Sequence, residues 1–119
     1  MAIPALATAQ NVRLVDGDYE GKADGGAMSL RTIVADSDKG VVVARASVGA
    51  AGCAGDFVGI GQVKGNVLRL SPFVKEEGVA CVVSATFDRT GKKVTVTEDG
   101  CSYYHGAACS FDGSGTKRR

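Results

Sequence analysis

At 119 residues with a net charge of +1 and four cysteines, the chain has room for one domain around one modest core. Nothing in it is long and apolar enough to cross a membrane as a helix, so no membrane insertion is expected. With Lys117, Arg118 and Arg119 set aside, 11 basic residues face 13 acidic ones, which argues against a nucleic-acid partner.

The chain opens on Ala5-Leu6-Ala7-Thr8-Ala9, similar to the small-residue cleavage region of a secretory signal peptide cut after Ala9. Residues 1–10 are read as a signal remnant or tail, and 11–119 as a single β domain. Sixteen valines against five leucines favour strands, because β-branched side chains suit a pleated surface. Seventeen glycines interrupt any long helical period. Strands are expected at Tyr19–Ala23, Ala27–Ala35, Val41–Ser47, Phe57–Val63, Val67–Ser71, Val79–Phe87, Lys93–Glu98 and Ala108–Phe111, the last running on toward Thr116. Lys64-Gly65-Asn66 reads as a tight hairpin connection, and Asp36–Gly40 and Asp88–Lys92 as turns. Ser71–Glu77 is the one helix candidate, with Ser71 as cap and Pro72 in the first turn. About eight short strands make an all-β domain, an antiparallel barrel or sandwich.

An even cysteine count in a small domain points to disulfides and an extracytoplasmic setting. Cys53, Cys81, Cys101 and Cys109 allow three connectivities. The expected pairs are Cys53–Cys81 and Cys101–Cys109, the second closing a loop of nine residues. Cys101-x3-His105-x3-Cys109 supplies three soft ligands where a structural zinc takes four, and its spacing matches no common zinc module. No metal and no cofactor are expected. The same loop holds Ser102, Tyr103, Tyr104 and His105, the sole histidine. A stapled aromatic loop suits partner binding. Adjacent tyrosines in an extended segment point to opposite sides, one inward and one outward. The bland alternative for His105 is a hydrogen bond across its own loop. No nucleophile, base and orienting acid come together in sequence, no nucleophile elbow is present, and no enzyme is expected. Glu76-Glu77 and Glu98-Asp99 read as solvated pairs, the latter joining Asp112 in an acidic rim about the loop.

Val94-Thr95-Val96-Thr97-Glu98 runs into Cys101-x-x-Tyr104-His105-Gly106-x-x-Cys109-x-Phe111-x-Gly113, a pattern that resembles small secreted proteins of Gram-negative bacteria. With Tyr19-x-Gly21 and the series of short strands, the chain also resembles the periplasmic inhibitors of c-type lysozyme. The resemblance implies a barrel-like domain, export through a cleaved signal peptide and binding of host lysozyme. Such inhibitors insert a Ser-Gly-rich motif and a nearby basic residue into the lysozyme cleft. Gly113-Ser114-Gly115-Thr116-Lys117 is a partial match, which carries those roles to Ser114 and Lys117, while the second family motif, built around Thr-Lys-Gly, is not evident. The expected function is therefore inhibition of c-type lysozyme by loop insertion through Ser102, Tyr103, Tyr104, His105, Ser114 and Lys117. The alternative is a small ligand-binding or structural envelope β-barrel. Exposed edges of an incompletely closed barrel would permit a homodimer.

Overall fold

Alternation of apolar and polar residues converts directly into walls. The computed structural model describes residues 12–118; the signal-like segment 1–10 lies outside them. Eight strands follow one another: β1 (Gly17–Ala23), β2 (Gly26–Asp36), β3 (Val41–Ala50), β4 (Cys53–Lys64), β5 (Val67–Pro72), β6 (Val82–Phe87), β7 (Lys93–Asp99) and β8 (Gly113–Lys117). Each pairs antiparallel with the next, and β8 pairs back with β1, so the sheet is a closed barrel. Closure leaves no strand edge to pair with another chain. The expectation of exposed edges is corrected accordingly, and closure says nothing of a homodimer formed through another surface.

An eight-stranded barrel has an interior just wide enough to be filled by its own side chains. Here Tyr19, Phe57, Phe87, Phe111, Leu30, Leu68 and Leu70 are all fully buried, with valines and alanines between them. A hollow of about 600 Å³ opens on the outer wall beside Glu20, Lys22, Ser29 and Ser47. The β1–β8 seam is closed by backbone contact. A Cβ on Gly21 would overlap the Ser114 carbonyl, and one on Gly113 would overlap the Lys22 carbonyl.

Two segments differ from the sequence reading. Ser71–Glu77 forms no helix: β5 continues to Pro72, Phe73 N donates to Val58 O at 2.9 Å, and bends and a turn follow. Two helical turns carry an unfavourable nucleation cost, and this segment has no apolar face turned to the core to offset it. The last strand begins at Gly113, not Ala108. Residues 100–112 instead form a loop at one end of the barrel, called the mouth loop below.

The opposite end is closed by residues 12–16. Val12 and Val15 are wholly buried there beneath a 3-10 turn at Arg13–Val15. The barrel's inward polar groups hold this segment in place. Thr32 Oγ1 donates to Val15 O and the Asp16 carboxylate accepts from Val34 N at 2.9 Å, while Tyr19 Oη, 3.2 Å from Val15 O, donates to Gly91 O at 2.6 Å in the adjoining β6–β7 turn.

Burial, with Asp88 and Asp16 nearby, holds the Tyr19 phenol well above its usual range. Its neutral form is favoured in the folded state, so the contribution is intact below the ordinary phenol value of about 10 and is lost as pH rises above it. Urea midpoints measured from pH 8 upward should fall more steeply for the wild type than for Tyr19→Phe. That variant should itself be about 1–2 kcal/mol less stable at neutral pH, from the lost hydrogen bond. Parallel pH profiles would contradict the assignment.

Candidate functional site

The mouth loop leaves β7 through Gly100, whose φ of +73° suits glycine, and then coils into a 3-10 turn at Ser102–Tyr104. The turn satisfies its own backbone: Tyr104 N donates to Cys101 O at 2.9 Å and Gly106 N to Ser102 O at 2.7 Å. The loop then crosses the mouth. Its two cysteines are held by different walls, Cys101 by Cys81 just before β6, and Cys109 by Cys53 at the start of β4, with Cα separations of 4.6 and 6.1 Å.

The expected pairs Cys53–Cys81 and Cys101–Cys109 are thus replaced by Cys81–Cys101 and Cys53–Cys109. The reason is topological. The β6–β7 ladder ends with Val82 opposite Asp99, and Cys81 and Cys101 follow one and two residues beyond that last pair, close enough to be joined. Strand β4 stands on the wall opposite β8, so Cys109 meets Cys53 only because the loop traverses the opening. Loop-closure entropy over separations of 56 and 20 residues gives about 4 and 3 kcal/mol. Both figures are large beside the total stability of a typical domain, about 5–15 kcal/mol. With all four sulfurs in disulfides, Cys101 and Cys109 are not thiolates that could join His105 around a metal.

Under the loop lies an aromatic layer. Tyr104 meets Phe57 edge-on at 5.4 Å, and His105 meets Phe111 edge-on at 5.1 Å. At the top of β7, the inward side continues Val94 and Val96 with Glu98. His105 Nε2 donates to the Glu98 carboxylate at 2.7 Å, and Phe111 N donates to the same carboxylate at 2.6 Å. His105 Nδ1 faces Gly106 O at 2.5 Å. Both side chains of the pair are nearly enclosed, 6% and 9% exposed. A Cβ on Gly55 would stand 2.5 Å from His105 Cβ, so β4 carries glycine where the histidine sits.

This arrangement sorts the sequence-derived site residues. Ser102 and Tyr103 are exposed, Tyr103 by 62%. Tyr104 is half-buried, and its hydroxyl is enclosed with no hydrogen-bond partner; burial and the nearby Glu76 push its phenol up. One tyrosine in and one out matches the expectation, although the backbone is a 3-10 turn and not extended. His105 is held by Glu98 on β7 and not by a hydrogen bond across its own loop, which corrects the structural alternative in its partner. Of the expected acidic rim, Asp99 and Asp112 are exposed, whereas Glu98 is buried. The parity of Val94, Val96 and Glu98 was the available signal for that burial.

Ser114 and Lys117 do not converge with the loop or with each other. Three residues apart on β8, they point to opposite faces. Ser114 is exposed on the outer wall beside Lys22 and Thr95. Lys117 lies at the far end, its ammonium 5.4 Å over the Tyr19 ring and donating to Leu14 O, and desolvation lowers its pKa. Sequence reasoning missed Phe73 and Val74, which are exposed by 57% and 67% in the connection between β5 and β6 at the mouth end.

Removing one partner of this enclosed hydrogen-bonded pair leaves the polar group of the other without its partner. Glu98→Ala and His105→Ala should each cost about 2–3 kcal/mol in urea unfolding, and the double variant should cost at least about 1 kcal/mol less than their sum. Strictly additive losses would mean the two side chains do not act as a pair.

Compared with known proteins, the chain matches no family model, and no curated protein or solved structure is significantly similar to it.

Proposed function

We propose that the protein is a periplasmic inhibitor of c-type lysozyme that blocks the enzyme's cleft with the mouth end of the barrel. The observation that carries the proposal is an exposed aromatic on a cross-linked loop at an acidic end. Tyr103 stands on a loop tied by two disulfides. Around it the mouth-end connections hold five exposed carboxylates, Asp24, Glu76, Glu77, Asp99 and Asp112, against one cation, Lys75.

Lysozymes are basic, so the mouth end would be drawn toward them and oriented during encounter. A loop already fixed by covalent ties loses little entropy on binding. The enzyme depends on two carboxylates held in different protonation states, and a side chain seated between them would exclude substrate and disturb that division. The proposed action requires no chemistry from the inhibitor. It assigns the contact to Tyr103 and its neighbours rather than to Ser114 and Lys117. Export to an oxidising compartment belongs to the same proposal, and the two disulfides are compatible with it.

Purified protein should stop lysis of a bacterial cell-wall suspension by a c-type lysozyme at a near-stoichiometric ratio. Tyr103→Ala should weaken inhibition about tenfold or more without changing the melting temperature. Undiminished lysis at large molar excess of the wild type would rule the function out.

A further inference from the structure

Exposed large apolar side chains occur on the barrel wall, at Ile33, Val58 and Ile60, but those with the greatest exposure lie on two mouth-end loops. Among the described residues, Val74, Tyr103 and Phe73 are the most exposed large apolar side chains, at 67%, 62% and 57%. Phe73 and Val74 begin the connection from β5 to β6, and Tyr103 belongs to the mouth loop. The Cys81–Cys101 disulfide joins the end of the first loop to the start of the second. Glu76, two residues beyond Val74, lies close enough to Tyr104 to act on its phenol. The first loop is not a loose excursion, since Phe73 N extends the β4–β5 ladder to Val58 O and Val79 N donates to Glu76 O at 3.2 Å.

The charge around these side chains selects among occupants. The mouth end is acidic. The connections at the other end, residues 12–16, 36–40, 64–67, 88–93 and 117–118, carry eight lysines and arginines against four aspartates. An apolar patch ringed by carboxylates repels an anionic bilayer or a nucleic acid and favours a cationic surface. Closure of the barrel removes strand addition as a means of docking, leaving side-chain anchors in loops.

We propose that Phe73, Val74 and Tyr103 act as one apolar anchor, set in an acidic rim, that seats the mouth end in an apolar recess on a basic protein. The proposal rests on the inhibitor reading above and adds the second loop, which that reading does not require. The anchor is assembled from two loops tied to each other by Cys81–Cys101, which reduces the freedom they lose on binding. The carboxylates of Glu76 and Glu77 flank it and govern the rate of encounter.

The test uses the full chain and a c-type lysozyme as probe, with affinity and association rate measured at low and at physiological salt. Phe73→Ser/Val74→Ser should weaken binding about tenfold or more, and Tyr103→Ser similarly. Ile33→Ser, which alters an equally exposed apolar side chain on the barrel wall, should change it less than about twofold. Glu76→Lys/Glu77→Lys should slow association and flatten its salt dependence. Circular dichroism and melting temperature should be unchanged in all of them, since the replaced groups are exposed. Wild-type affinity in Phe73→Ser/Val74→Ser would overturn the anchor while leaving the inhibitor reading in place. Failure of the wild type to bind the probe would overturn both. Sedimentation showing salt-sensitive self-association, lost in the same double variant, would make a second copy the occupant. Binding to phosphatidylglycerol vesicles, likewise lost, would make it a lipid surface. Either result overturns the proposal.

Discussion

A closed barrel removes every strand edge and in exchange has two mouths, each of which would open the apolar interior to water. A segment laid across such an opening brings backbone donors and acceptors that need partners. The inward polar residues supply them. At one end Thr32 on β2 bonds the backbone of the segment that buries Val12 and Val15, Lys117 on β8 bonds Leu14 O, and Tyr19 on β1 bonds Gly91 O beside it. At the other, Glu98 on β7 takes Phe111 N and His105 Nε2. The exceptions to the apolar interior are thus the groups that hold the two closures in place, and the middle of the barrel needs none.

Much of the wall was legible because period-two alternation is local. Met28, Leu30 and Thr32 on β2 and Val83, Ala85 and Phe87 on β6 share the inner face that their spacing implies. The eighth strand was misplaced for a physical reason. Cys109 and Phe111 are buried at alternate positions and mimic a strand, yet they line the mouth loop. On β8 the inward positions Gly113 and Gly115 have no side chains, because the β1–β8 seam leaves no room for them, so hydrophobic periodicity is silent there. Disulfide pairing depended on which walls the mouth loop reaches, and that is set by closure of the whole sheet. Ser71-Pro72 carried a helix-start signal, but the donor at Phe73 N was taken by β4.

Closing the mouth also divides the aromatic cluster. Tyr104 and His105 are drawn down onto Phe57 and Phe111, and the side chain left outside is Tyr103, whose ring leans edge-on against Tyr104 at 5.0 Å. Exposure of Tyr103 and burial of its two neighbours are therefore one event, produced by a short turn that must both seal and end. A residue in such a place inherits the rigidity of what lies beneath it. It gains that rigidity from packing below and from covalent ties to two different parts of the wall, through Cys53 and Cys81.

The same geometry limits where a partner can be met. On β8 the pleat sends Ser114 outward and Lys117 inward, and Lys117 is committed to the far closure. No single partner surface at the mouth can engage both. The seam has a further consequence, since Gly113 and Gly115 leave β8 without inward side chains from which to build a site. Recognition at the mouth end then has to be drawn from its connections, where the backbone is already fixed by closure and side chains are free to vary. Those connections carry both the excess of carboxylates and the exposed apolar groups. In the proposed function, a steering field and an anchor on the same end would act in sequence, the first bringing a cationic surface near and the second setting how long it stays.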